Sequence, residues 1–147
     1  MEKWSLINVR DVVMLYLPFP GLQASLAKKA HMYICLNKTE DVKQFLKVQT
    51  PKPQLFCLLK NFIIELPDIQ RNPFINPSLI DLDKIFSLYH TFIPLSLRTK
   101  RRKDIANHFY FEILDKLSLK QTASYLINDR ELLVCNEKLR LYNLSSH

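Results

Sequence analysis

Two apolar runs flank a short polar interval near the start of the chain. Residues 12–19 hold Val12, Val13, Met14, Leu15, Tyr16, Leu17, Pro18 and Phe19. Both alternating sets are largely apolar, which predicts a strand covered on both faces. Pro18 ends or edges that strand, and Pro20-Gly21 signals a turn. Residues 22–29 read as a loop ending in Lys28 and Lys29. Residues 30–36 predict the partner strand, with His31, Tyr33 and Cys35 on one face and Met32, Ile34 and Leu36 on the other. Residues 37–41 form a turn. The segment from Val42 to Gln49 reads two ways, as a short helix capped by Thr39 or as the third strand of a meander; the strand is preferred.

Thr50-Pro51-Lys52-Pro53 punctuates the chain. Residues 54–66 are strongly apolar and read as two short strands around Lys60-Asn61. Residues 67–77 form a long polar loop with Arg71. Residues 78–89 alternate again, with Ile80, Leu82, Phe86 and Leu88 inward and Asp81 and Asp83 together on a charged rim. Residues 91–97 suggest a last short strand. Ile105, Phe109, Ile113 and Leu117 are spaced four apart, which predicts a helix over 104–117 with Asp104 as a cap. A second apolar pattern (Leu119, Ala123, Tyr125, Leu126) follows, then a break at Asn128-Asp129 and a strand or helix start at 132–135. Trp4, Leu6 and Val9 belong to a lead-in, and the tail from Asn143 is polar. The expectation is one domain over 1–147, strands to about residue 97 and mainly helix after about 103: α+β, or a small β-barrel with C-terminal helices.

Composition narrows the chemistry. The formal charge is +7, which favours an acidic partner. The single glycine, Gly21, excludes a P-loop and a dinucleotide fingerprint. An anion site must therefore be built from side chains or a helix N-terminus. Cys35, Cys57 and Cys135 lack Cys-x-x-Cys spacing, and the four histidines form no ligand cluster, so no metal or other cofactor is expected. With no signal peptide or membrane span in view, the expected setting is cytoplasmic and soluble. Lys28 and Lys29 stand at a loop–strand junction where a rigid sheet can present them to an anion. Arg98, Lys100, Arg101, Arg102 and Lys103 form a run able to neutralise phosphates.

Residues 11–20, opening Asp11-Val12-Val13 and closing Pro18-Phe19-Pro20, resemble the first strand of the PemK/MazF-like toxins. Residues 77–88, with Ser78 and Leu82-Asp83, resemble a later segment of the same family. That resemblance implies an SH3-like β-barrel and a homodimer. It implies a toxin of a toxin–antitoxin pair: a hydrolase that cleaves single-stranded RNA without a metal and is held by a cognate antitoxin protein. It places Lys29 on the family's catalytic arginine, Lys28 on the basic residue before it, and Thr50 on its catalytic threonine or serine. Lys29 lacks the planar fork of an arginine. Ala30 stands where the family has proline, and Arg10 where it has glycine.

The chemistry expected of such a site uses the 2′-hydroxyl as nucleophile. Lys29 would stabilise charge on the phosphoryl oxygens, Thr50 would donate a hydrogen bond, and His31 would supply the acid or base. Phe19 and Tyr16 are candidates for stacking on bases. Arg71 and the basic run would bind backbone phosphates. The alternative is a catalytically inactive nucleic-acid-binding or protein-interaction barrel.

Overall fold

The structure is a computed structural model and describes residues 7–118 and 122–142. Trp4, Leu6, Leu119 and the tail from Asn143 lie outside the described residues. The chain runs β1 (Val12–Leu15), α1 (Ser25–Lys28), β2 (His31–Lys38), β3 (Val42–Gln49), α2 (Pro53–Leu58), β4 (Phe62–Glu65), β5 (Ser78–Asp81), β6 (Lys84–Tyr89), β7 (Thr91–Phe92), α3 (Asn107–Ser118), β8 (Ala123–Leu126), α4 (Asp129–Cys135) and β9 (Arg140–Leu141). A 3₁₀ turn covers Leu95–Leu97.

The centre of the fold is β3. Its inner edge pairs with β2, which pairs with β1, all antiparallel. Its outer edge is shared: Val48 and Gln49 face Ile80 and Leu79 of β5, while Val42 to Phe45 face Tyr89 to Phe86 of β6. The 78–89 side is three residues longer than the β3 stretch it spans. An odd insertion reverses which face each residue meets. Ile80 and Leu82 therefore join one core, with Val12, Ile34, Leu46 and Val48. Phe86 and Leu88 join the other, with Val13, Leu15, Tyr33 and Phe45. Asp81 and Asp83, read from sequence as a charged rim, build the bulge instead. Asp83 accepts from the amides of Lys60 (2.8 Å) and Asn61 (3.0 Å), and Asp81 accepts from Asp83 N–H at 2.7 Å.

The α3 helix seals the first core with Phe109 and Ile113, four residues apart and fully buried. Each such side chain contributes about 1.5–3 kcal/mol of burial. The helix begins at Asn107 rather than Asp104, because Asp104 is engaged elsewhere: it takes Arg102 Nε at 2.9 Å and pairs with Arg10 at 3.5 Å. The α3 crossover also allows β8 to pair parallel with β6. On the opposite face, Leu132 of α4, Ile93, Ile127 and Leu139 cover the second core.

The sheet stays open, and this overturns the expected SH3-like β-barrel. Its seven strands end at β1 and β4 along the main path and at β8 on the branch. No described strand joins these ends; the outer edge of β1 meets an isolated bridge from Arg98 to Val13, and another joins Asp104 to Asp11 just before the strand. A second sheet holds β7 and β9 alone. A barrel requires a closing strand pair, but here the β3 edge splits at the bulge and no later described strand returns to β1. The fold is α+β with dispersed helices. The PemK/MazF-like assignment falls with the barrel, and so do the toxin and metal-free endoribonuclease readings and the barrel-based alternative.

Local readings also change. Residues 54–58, read as strand, lie in α2, which Pro53 opens at its first turn. The 22–29 loop holds α1. Residues 91–97 are strand only at Thr91–Phe92. Asn128, read as a break, caps α4 by accepting from Glu131 N–H at 3.0 Å. Val42–Gln49 is a strand.

Candidate anion-binding cleft

At one end of the sheet, β1 and β3 finish and β2 and β5 begin. A cavity of about 550 Å³ opens there under α1 and the start of α2. Its polar lining includes Lys29, His31, Lys47, Gln49, Thr50, Lys52 and Ser78. Leu26, Met32, Leu55 and Ile75 give it an apolar side. Among the described residues, no carboxylate lines it.

Each basic group has a distinct support. Lys29 ends α1 with an extended backbone, and its N–H donates to Ser25 O at 3.0 Å. The helix is pinned because Leu26 packs on the second core and its carbonyl accepts from Leu17 N–H at 2.8 Å. Lys47 sits in β3 opposite Tyr33. Its ammonium lies 4.0 Å from the fully buried Asp81 carboxylate, which Lys84 approaches to 3.6 Å. Burial pushes the Lys47 pKa down, and Asp81 opposes that shift. Lys52 is exposed and precedes α2.

His31 reports the field inside the cleft. Its Nδ1 faces the Lys29 carbonyl at 3.1 Å. A carbonyl only accepts, so that contact assigns the hydrogen to Nδ1 and leaves Nε2 as the nitrogen able to take up a proton. The imidazole pKa lies below its ordinary value, chiefly because burial disfavours the cation. Lys47, Lys29 and Lys52 add repulsion, while the Lys29 carbonyl works the other way. The neutral imidazole is therefore the favoured form, in a pocket whose lining charges are positive. An anion entering here meets ammonium donors, hydroxyl and amide donors, and an imidazole that gains a proton more readily once negative charge arrives.

The structure brings Lys29, His31 and Thr50 to this one cleft. Lys28 is exposed and lies outside its lining. Phe19 packs into the second core, with ring centroids 5.1 Å from Phe86 and 4.8 Å from Tyr125. Arg71 binds both oxygens of Glu112, at 2.7 and 3.0 Å, and also Glu65, and it lies 4.3 Å over the Phe109 ring. The basic run follows the outer edge of β1, where Lys103 O accepts from Val12 N–H and Thr99 N–H donates to Val12 O. Arg98 Nε donates to Leu95 O, Lys100 Nζ to Ser96 O, and Arg101 Nη1 to Phe74 O. Arg102 holds Asp104 and Ile69 O. Lys103 is exposed.

Sequence reasoning passed over Lys47, Gln49 and Lys52, and read Asp81 only as part of a charged rim. The signal for Lys47 was a lysine at every second or fourth place of a strand (Lys43, Lys47). Their partners differ: Lys43 is buried and donates to Thr91 O at 2.6 Å, whereas Lys47 pairs with Asp81 and lines the cleft. The burial of Asp81 gave no signal, since it depends on the bulge.

No family model, curated protein or solved structure matches the chain. Among the described residues, no group of three His, Cys, Asp or Glu is placed to hold a metal ion. No described helix is long and apolar enough to cross a membrane.

Proposed function

We propose that this chain binds single-stranded RNA, gripping a backbone phosphate in the cleft at the end of the sheet. One observation carries the proposal: Lys29, Lys47 and Lys52 converge around a neutral His31 in an open cleft that no carboxylate lines. Gln49, Thr50 and Ser78 add amide and hydroxyl groups of the kind that meet ribose hydroxyls and base edges. The overall charge of +7 favours the encounter. The three cysteines are free thiols, which supports a reducing setting such as the cytoplasm. The proposal is recognition alone. The homodimer and the cognate antitoxin followed only from the barrel family and are not part of it.

The test is fluorescence anisotropy of a labelled single-stranded RNA oligomer across a salt series. One phosphate held in the cleft contributes about −0.7 to the slope of log K against log salt. Lys29→Ala with Lys52→Ala should make the slope shallower by about that amount. A slope that the double substitution leaves unchanged places binding elsewhere and rejects the cleft.

A further inference from the structure

A second cavity, of about 400 Å³, opens beside the basic cleft, and the two share Met14 as a common wall. Tyr16 lines this second cavity and is 38 % exposed. Its backbone is fixed from both sides by one buried amide. Asn136 Oδ1 accepts from Tyr16 N–H at 3.0 Å, and Asn136 Nδ2 donates to Tyr16 O at 2.7 Å. Asn136 closes the C-terminal end of α4, and its Nδ2 also donates to Leu132 O at 2.9 Å. A side chain held this way settles where the neighbouring ring emerges, and a pre-set ring loses little entropy on stacking.

The electrostatics of the two cavities differ. Glu137 and Lys138 both line the second one, so its local charge is balanced. A phosphate gains little there. An uncharged planar group gains from the Tyr16 face and from the apolar Leu97 and Val134. A strand of nucleic acid alternates these two kinds of group along its length.

We infer that the two cavities form one groove for at least two adjacent nucleotides, with a phosphate at Lys29, Lys47 and Lys52 and the neighbouring base on Tyr16. This rests on the RNA-binding reading and adds a minimum ligand length and a base-stacking position to it. A mononucleotide fills the first cavity only.

The experiment measures binding of uridine monophosphate, a uridine dinucleotide and a uridine tetranucleotide to the full chain, by competition against the labelled oligomer. Wild type is compared with Tyr16→Leu, Tyr16→Phe and Lys29→Ala. The expected result is a rise of about tenfold from mononucleotide to tetranucleotide in wild type. Tyr16→Phe keeps the rise and Tyr16→Leu loses it; Leu preserves apolar bulk without the aromatic face. Lys29→Ala weakens every ligand. Equal affinity for all three lengths, or a rise that survives in Tyr16→Leu, overturns the groove while Lys29 dependence leaves the phosphate site standing. Binding that is absent, or indifferent to Lys29→Ala, overturns the RNA-binding reading itself.

Discussion

The sheet-end cleft and the 98–103 run are both basic, yet the structure uses their charges in opposite ways. In the cleft, Lys29 and Lys52 are exposed side chains, and Lys47 leans on a carboxylate from behind. The Lys29 and Lys52 charges face an opening. In the run, five basic residues lie within six positions, but four of them donate to carbonyls or a carboxylate of the same chain. They fasten the segment along β1 and to the 69–74 loop. A dense run of charge in sequence thus marks a structural strap, whereas three lysines scattered over 24 residues mark the open site. Proximity in sequence measures how much charge is present; only the fold decides which donors remain for a ligand.

Arg71 extends this comparison and gives the largest expected effect. It bridges buried Glu65, exposed Glu112 and the Phe109 face, tying the 67–77 loop to α3. Arg71→Ala leaves Glu65 buried without its cation and should lower unfolding stability by about 3 kcal/mol. Urea denaturation measures this, and RNA affinity of the folded fraction should not change. A large loss of affinity with little loss of stability would move Arg71 from strap to site.

Lys29→Ala with Lys52→Ala should do the reverse. Affinity for single-stranded RNA should fall about tenfold at moderate salt. Stability should stay within about 0.5 kcal/mol, since both side chains are exposed. A coincident fall in urea midpoint would show that these lysines also fasten the fold.

The pH response is smaller. The free His31 pKa lies below its ordinary value. A bound phosphate favours the imidazolium, so the complex has the higher pKa and takes up a proton. Affinity should therefore rise, by about three- to tenfold, as pH falls from about 7.5 to about 5.5. His31→Ala should flatten the profile. Without ligand the sign is opposite. The folded pKa is below the unfolded one, so the His31 share of stability is complete above about pH 6.5 and is lost as pH falls through the folded value. Affinity that weakens on acidification would contradict the placement of the phosphate beside His31.

Lys100→Ala with Lys103→Ala should have the least effect, less than about twofold on affinity. Lys100 is tethered to Ser96 O, and both lie on the β1 edge strap rather than in the cleft.

Much of the local structure is legible from residue patterns. The apolar alternation of 30–36 and the four-residue spacing of Phe109 and Ile113 carry their own physics, and the corresponding elements form. The Pro at 53 and the Asn128–Glu131 spacing were also readable as helix starts, but strong apolar content masked the first, and the polar pair looked like a break. Closure was not legible. It depends on the three-residue bulge after β5, which redirects the second half of the strand and is set by Asp83 gripping the amides of residues 60 and 61. No periodicity encodes a contact 22 residues away. The cleft was half visible. Lys29, His31 and Thr50 stand beside turn signals, whereas Lys47 and Asp81 are brought to the site by strand pairing, and the internal partners of Arg71 and Arg102 follow from tertiary packing.

The most direct measurement compares salt slopes for single-stranded RNA binding by wild type, the Lys29/Lys52 double alanine variant and the Lys100/Lys103 double alanine variant. The account predicts a slope that the Lys100/Lys103 variant keeps and that the Lys29/Lys52 variant makes shallower by about 0.7. The opposite assignment, with the slope lost only when Lys100 and Lys103 are removed, would make the strap the binding surface and contradict the cleft.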